Sequence, residues 1–411
     1  MMSMQARHSV LSPWWLITLV ALISMLAPFS IDTYLPSFPA IEAELGVSRE
    51  WLTQSLSVYL AFFAVSTLLW GPLADRFGRR RVVLLSLLGY LMAALLCALA
   101  EDYFWLLIGR ALQGVMAAGS VVASRAMIRD FFRGPEAQKA LAVVMMLFTL
   151  APALAPIIGG WLDAHLGWRS VFYFLAAFAL LILPIFLVKI PETQAPESVQ
   201  SIHPHFLMRS YVHSLRHPLF LRLVIVQGLL IGGFFIYVAS SASLIFDHLH
   251  LQEQDFWILF LPMVSGILLG SWLSHRLAHR ITAVSMVNLA FILALFAIAL
   301  NVALQSLSMQ EAFWVIAPLS VYAVGFALAN PGLTVFGLDC LPDKRGMAAS
   351  LQSLVQMGTA GLVTSLIVPV VHDSLFMMAV SQALMLLSAF VIWRWLKTHS
   401  SFEPIVASQN S

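Results

Sequence analysis

The sequence predicts an all-α polytopic membrane protein: twelve transmembrane helices in two six-helix halves around a central cavity. Three observations carry that prediction. Apolar runs recur along the whole chain, each close to the ~20 residues that a helix needs to cross a bilayer. Hydrophobic residues make up 60% of the 411 and charged residues 10%, where a soluble domain carries about 25% charge. The basic residues fall almost wholly on one side of the predicted spans, the asymmetry that membrane topology requires.

The spans are predicted at 14–38, 51–71, 82–100, 104–126, 140–162, 170–188, 219–246, 256–274, 282–304, 312–336, 347–370 and 375–396. The first is a membrane helix rather than a cleavable signal, because Pro28 and Asp32 stand where a small-residue cleavage site would be needed. Twelve spans put both termini on one side, the cytoplasm, with a short tail of residues 1–13. Of the 22 Lys and Arg residues, all but Arg49, Arg110 and Arg169 then fall on the cytoplasmic side. The expected location is the inner membrane. The mean hydropathy of +0.89 fits a lipid environment, and 12% aromatic residues suit interfacial belts.

The longest stretch outside the spans, 189–218, holds Pro191, Pro196, Pro204 and Pro218. It sets the domain boundaries at 1–195 for the N-terminal half, 196–218 for a central loop and 219–411 for the C-terminal half. Features recur at an offset near 200. Gly71 to Arg81 corresponds to Gly270 to Arg280, with Ser274 where the first copy has Asp75, and Asp130 pairs loosely with Asp339. Repeated halves are a transporter trait, with the substrate site near the midplane.

Charge inside a span is costly and marks a functional candidate. Asp32 is the only acidic residue clearly within a span, and Arg110 the only basic one. Asp32 lies 18 residues beyond Trp14, roughly 27 Å along a helix, and Arg110 lies six residues, roughly 9 Å, inside the outer end of the fourth span. At similar depth each is a candidate partner for the other in proton coupling. Two plainer readings stay open: Asp32 as a hydrated helix end beside Pro36 and Pro39, and Arg110 as a structural arginine bonding backbone carbonyls.

The stretch Gly71-Pro-Leu-Ala-Asp75-Arg76-Phe-Gly78-Arg79-Arg80-Arg81 reads as a tight, charged cytoplasmic loop between the second and third spans. Its pattern, G-x-x-x-D-R-x-G-R-R-x, resembles the loop signature of the major facilitator superfamily, which implies the major facilitator fold. Residues 106–119, with Arg110, Gln113 and Gly114, resemble that superfamily's fourth-helix motif. Leu150 to Gly160 resembles its antiporter motif G-x-x-x-G-P-x-x-G-G, keeping Pro156, Gly159 and Gly160 but with Ala151 and Ala155 for the leading glycines. A generic packing interface is the other reading of that stretch. Asp32-Thr-Tyr-Leu-Pro36-Ser-Phe-Pro39, together with the Ala-Pro-x-x-Ala-Pro run that includes Pro152 and Pro156, is similar to the Bcr/CflA drug-efflux subfamily. That resemblance implies export of antibiotics such as bicyclomycin and chloramphenicol in exchange for protons. It also implies that Gly71, Asp75, Arg76, Gly78, Arg79 and Arg80 latch the cytoplasmic side.

Tyr59, Phe62, Phe63, Gln113, Phe148, Tyr237, Met263, Tyr322 and Gln356 are the candidate cavity-lining residues, apolar walls with few polar groups. His203, His205, His213, His217, His275 and His279 read as solvated, since no closed ligand set is visible. Neither a phosphate-binding G-x-x-x-x-G-K-[ST] loop nor H-E-x-x-H is present, so no enzyme activity, metal or cofactor is expected and an ion gradient must supply the energy. The expected partners are a small-molecule substrate, protons and the lipid bilayer, with no nucleic acid, acting on a monomer. A carrier of a physiological metabolite or siderophore and a non-transporting membrane sensor are the alternatives.

Overall fold

A backbone in hydrocarbon has no water to bond, so it must satisfy its own N–H and C=O groups. The computed structural model, which describes residues 13–132, 135–194, 204–278, 280–309 and 311–398, meets that requirement with helices alone; no strand occurs among the described residues. Twelve helices there are long and apolar enough to cross a membrane, as the sequence predicts. In chain order the helices are α1 (Pro13–Asp32), α2 (Phe38–Leu45), α3 (Arg49–Phe77), α4 (Arg79–Ala98), α5 (Tyr103–Phe131), α6 (Pro135–Leu166) and α7 (Arg169–Lys189). There follow α8 (Pro204–Leu215), α9 (Pro218–Ala239), α10 (Trp257–Leu277), α11 (Ala283–Ser306), α12 (Ala312–Asp339), α13 (Arg345–Leu362), α14 (Val368–Val371) and α15 (Leu375–Lys397).

Four departures from the sequence expectation matter. The first span is broken: α1 stops at Asp32, a single 3-10 turn covers Leu35–Ser37, and α2 restarts at Phe38. The Gly71–Arg81 stretch is not a loop. Helix α3 carries Gly71 and Pro72 on to Phe77 and α4 starts at Arg79, so the connection is Gly78 alone. Proline inside a helix loses one backbone bond without ending the helix where the rest of the ladder continues. The central stretch, predicted as a loop, contains α8. A π-helical turn, Ser243–His248, follows the seventh span, and another, Val363–Ile367, lies within the eleventh. His203 and His279 lie outside the described residues, as does the His205 side chain.

The chain forms two compact units. One comprises residues 1–49 and 65–203, the other residues 50–64 and 204–411, so α3 contributes its first half to the second unit. In the first unit α1 packs on α5, α6 and α7, while α4 packs on α5 and α7. In the second, α9 packs on α12, α13 and α15, while α11 packs on α12 and α15. First helix against fourth, fifth and sixth, third against fourth and sixth: the two sets repeat one packing scheme, which agrees with the weak repeat in the sequence.

Helix contact in a bilayer lacks the hydrophobic drive of water and rests on close approach and internal hydrogen bonds. At the α10–α12 crossing a Cβ on Gly266 would run into the Ser320 carbonyl. The second unit's interior carries a polar chain: the Asn301 amide donates to the Tyr237 hydroxyl (2.7 Å) and to Gln382 Oε1 (3.3 Å), and Gln382 donates on to the Gly233 carbonyl. The π turn at Val363–Ile367 leaves the Ser365 carbonyl to accept from Gln54 Nε2 at 2.9 Å, and the Ser365 hydroxyl returns a bond to Gln54 Oε1 at 2.7 Å. That reciprocal pair holds the first half of α3 in the second unit.

Cys97 and Cys340 are both free thiols. At the end of α12, burial and the adjacent Asp339 carboxylate push the Cys340 thiol up to about 12. Only the thiolate reacts with alkylating agents, so Cys340 in folded protein at pH 8 is expected to label more than about a hundredfold slower than after denaturation. Equal rates, measured by mass spectrometry of maleimide-treated protein, would show a freely ionising thiol.

Candidate functional site

The break in the first span is a consequence of local chemistry. Pro36 and Pro39 lack the N–H that a continuing helix would use, and each fits the first turn of a new helical segment. Thr33 closes α1 twice over: its N–H and its hydroxyl both donate to the Phe29 carbonyl, at 3.2 and 2.6 Å. The second half of α1, from Leu19 onward, is buried on nearly every side. Asp32 therefore ends a buried helix at a discontinuity. At 4% exposure it is the only buried carboxylate among the described residues, and Arg110, at 0%, is the only buried Lys or Arg.

Arg110 does not answer Asp32 with an ion pair, as the depth argument suggested; the Asp32 carboxylate makes none among the described residues. Instead Arg110 Nη1 donates to the Ser30 carbonyl at 2.8 Å and to Gln113 Oε1 at 2.9 Å. Its guanidinium carbon sits 4.9 Å from the centre of the Tyr34 ring, a cation–π contact. The arginine thus grips α1 two residues before Asp32 and the turn two residues after it. Ser30 is held in turn by the Tyr90 hydroxyl at 2.6 Å. The structural reading of Arg110, a donor to backbone, describes this geometry, and it serves the segment that carries Asp32.

The antiporter-like stretch arrives from the other side. Pro152 and Pro156 lie within α6, and each removes a backbone N–H from its ladder. Gly159 and Gly160 are buried. A Cβ on Gly159 would drive into the backbone of Thr33, its carbonyl group above all, so the absence of a side chain is what lets α6 seat against the break. The segment around Asp32 is bracketed by Arg110 of α5, which the sequence already paired with Asp32 by depth, and by Gly159 of α6, which it read as a separate signal.

At the basic end of the first unit, Arg79 pairs with Asp75 and, through Nε at 3.2 Å, with Asp130. The sequence missed Glu192. Its carboxylate accepts from the backbone N–H of Arg79 (3.0 Å) and Arg80 (3.1 Å), capping α4, and from those of Thr193 and Gln194. Gln194 donates back to the Asp75 carbonyl, and Arg80 Nη2 to the Leu187 carbonyl at 2.7 Å. Gly78, at φ +98, bends the chain where a Cβ would strike the Glu192 carboxylate. Gly71 lies within α3 and Arg76 is exposed, its guanidinium 5.3 Å from the Phe77 ring. An acid right after a proline at the foot of the sixth span was the available signal for Glu192.

The cavity candidates divide between the units. Gln113 and Phe148 belong to the first; Gln113 is committed to Arg110, and Phe148 lies under Arg125 at 5.5 Å. The remainder belong to the second. Tyr59, Phe63, Tyr237, Met263 and Tyr322 are buried, Gln356 is half-buried and Phe62 is exposed. The Tyr322 hydroxyl donates to the Leu230 carbonyl at 2.8 Å.

Twelve helices in two equivalently packed sets, with a carboxylate buried at a helix break, define a membrane carrier. Residues 20–365 match the Major Facilitator Superfamily, and the chain belongs to it. It is 26% identical over 359 residues to a bicyclomycin resistance protein homolog of Haemophilus influenzae, covering 86% of this chain and 89% of that one. It is 29% identical over 310 residues to the multidrug resistance protein MdtL of Salmonella heidelberg, covering 68% and 77%. Those relatives agree with the resemblance to the Bcr/CflA branch. Among solved structures, a POT family peptide transporter is similar in fold at TM-score 0.72 and 14% identity, covering 92% of this chain and 96% of that one. A D-xylose-proton symporter is similar at TM-score 0.68 and 18% identity, covering 93% and 98%.

Replacing Glu192 by Gln removes the anion from the start of α4 and halves its acceptor capacity. A charged cap of this kind contributes about 1 kcal/mol, so E192Q is expected to lower the melting temperature of purified protein and reduce flux severalfold. Wild-type melting and flux together would deny the cap any part in holding the 75–80 segment.

Proposed function

We propose that this chain is a proton-coupled exporter of drugs or other small amphiphilic molecules, working by alternating access in the inner membrane with both termini in the cytoplasm. Halves 1–195 and 219–411, joined by 196–218, alternate between inward and outward access. Asp32 is the proton carrier, Arg110 sets the position of the segment that bears it, and Gly71, Asp75, Arg76, Gly78, Arg79 and Arg80 latch the cytoplasmic side. The relatives named for bicyclomycin and multidrug resistance support drugs as the substrate class.

The observation that carries the reading is the position of Asp32. The one buried carboxylate among the described residues sits at the discontinuity of α1, against the glycine of the antiporter-like stretch. Discontinuous helices are where carriers bind coupling ions, because the freed backbone and the mobile segment meet there. A proton on or off this group changes the charge of the segment at membrane depth. Moving one charge through the whole potential is worth about 2.3 kcal/mol per 100 mV, enough to bias a two-state cycle more than tenfold. Drug and proton then compete through the charge state of one group.

Asn has nearly the shape of Asp and cannot take up a proton. Asp32→Asn is expected to abolish pH-gradient-driven efflux in proteoliposomes while keeping binding of neutral substrates within about twofold. Asp32→Glu is expected to keep partial flux. Wild-type gradient-driven flux from the Asn variant would remove Asp32 as the coupling group. Uptake rather than extrusion in right-side-out vesicles would reverse the direction.

A further inference from the structure

Helix α8 has two unlike faces. Ser210, Tyr211 and Ser214 are buried; the Ser214 hydroxyl reaches Met347 Sδ at 3.4 Å on α13, and Lys344 Nζ donates to Ser210 Oγ at 3.1 Å. Arg209, Val212, His213 and Arg216, at i, i+3, i+4 and i+7, share the opposite, exposed face. Between that face and Lys344 lies a cavity of about 320 Å³, lined by Arg209, Ser210, Val212, His213, Arg216 and Lys344. Among the described residues no carboxylate lines it, and neither Arg209 nor Arg216 has an ion pair.

Two guanidinium groups and an ammonium lining one concave wall suit a tetrahedral oxyanion, which guanidinium binds through paired N–H donors. The surroundings of the cavity favour a lipid headgroup. Helix α8 runs directly into the membrane helix α9 at Pro218. Four residues into α9, Arg222 stacks on Trp395 at 3.7 Å, beside Arg394 and Lys397 at the foot of α15. Tryptophan and basic residues together mark the headgroup level of a bilayer. Val212, 41% exposed, gives the cavity an apolar wall that a free ion does not need.

We propose that this cavity binds a phosphate group, presented by the headgroup of an anionic lipid. Basic pockets at this level of a membrane helix bundle take such headgroups. The site belongs to the second unit, whereas Asp32 and the latch residues belong to the first, and it does not depend on the direction or substrate of transport.

The test is native mass spectrometry of the full chain released from nanodiscs containing phosphatidylglycerol and phosphatidylcholine, with inorganic phosphate titrated in a second arm. Wild type is expected to retain phosphatidylglycerol in preference to phosphatidylcholine. Arg209→Gln with Arg216→Gln is expected to weaken that retention roughly 30-fold, from about one Lys/Arg contribution for each charge removed. Arg276→Gln, an exposed charge at the end of α10, is the control and is expected to change nothing. Displacement of the lipid by millimolar inorganic phosphate, lost in the double variant, would keep the phosphate site and assign it to a soluble ligand. Equal lipid retention by wild type and the double variant, or equal loss in Arg276→Gln, overturns the proposal.

Discussion

Hydrocarbon offers no partner to a peptide group, and this governs where the chain stops being helical. An unbonded N–H or C=O there costs several kcal/mol, so a helix can end inside the protein only where side chains complete its last turn. The first span ends inside the protein. Thr33 doubles the bond to Phe29, and Arg110 takes the Ser30 carbonyl at 2.8 Å. Tyr34 covers the guanidinium and Tyr90 fixes Ser30. The break at Asp32 is thus over-determined. A buried arginine is itself expensive, and the same contacts spread its charge over a carbonyl, an amide oxygen and an aromatic face. The arginine and the break stabilise each other.

The two ends of the first unit handle charge in different ways. At the break, charged groups are few and buried. At the basic end they are many, and backbone amides enter the network as well as side chains. Arg79 lies between Asp75 and Asp130, and Glu192 gathers four backbone N–H groups while excluding any side chain at position 78. The capped helix start is joined to α3 by Gly78 alone, at φ +98. The foot of α7, the start of α4 and the end of α3 are thereby tied into one hydrogen-bonded network.

Most of the fold was legible in the sequence because lipid imposes a coarse code: length, apolarity and the side on which Lys and Arg fall. The span count came from that code, and so did the isolation of Asp32 and Arg110. What the code does not carry is hydrogen-bond direction. Depth brought Asp32 and Arg110 together, but depth says nothing of azimuth, and Arg110 turned to backbone carbonyl and amide instead. Gly71-Pro72 looked like a turn because its composition is that of a turn; the ladder on either side outweighed it, and α3 continued to Phe77. Local sequence marked Glu192 only as an acid after a proline; its role as a cap was not legible, because its four donors come from two segments more than a hundred residues apart in sequence. The assignment of residues 50–64 to the second unit, through Gln54 and a π turn at Ser365, is another long-range bond that local pattern could not supply.

The second copy of the loop signature shows what happens when one member of such a network is lost. Ser274 stands where Asp75 does, so Arg276 and Arg280 have no carboxylate at the equivalent position. Among the described residues the Ser274 hydroxyl reaches Met286 Sδ at 3.2 Å, and Arg276 lies over Trp272 at 5.0 Å with no ion pair. The surviving acid of the second repeat, Asp339, takes the next available arginine, Arg345 at the start of α13, at 2.5 Å. That bond ties α12 to α13 across a short turn, whereas Arg79 ties α4 to α5 and, through Glu192, the start of α4 is tied to the foot of α7. The packing of the helices repeats between the units because it depends on small residues and shape. The charge networks do not, because each depends on one residue at each node. A carrier built from a duplicated half therefore keeps its symmetry in the apolar packing and loses it at its charged ends, where each half can acquire a different role.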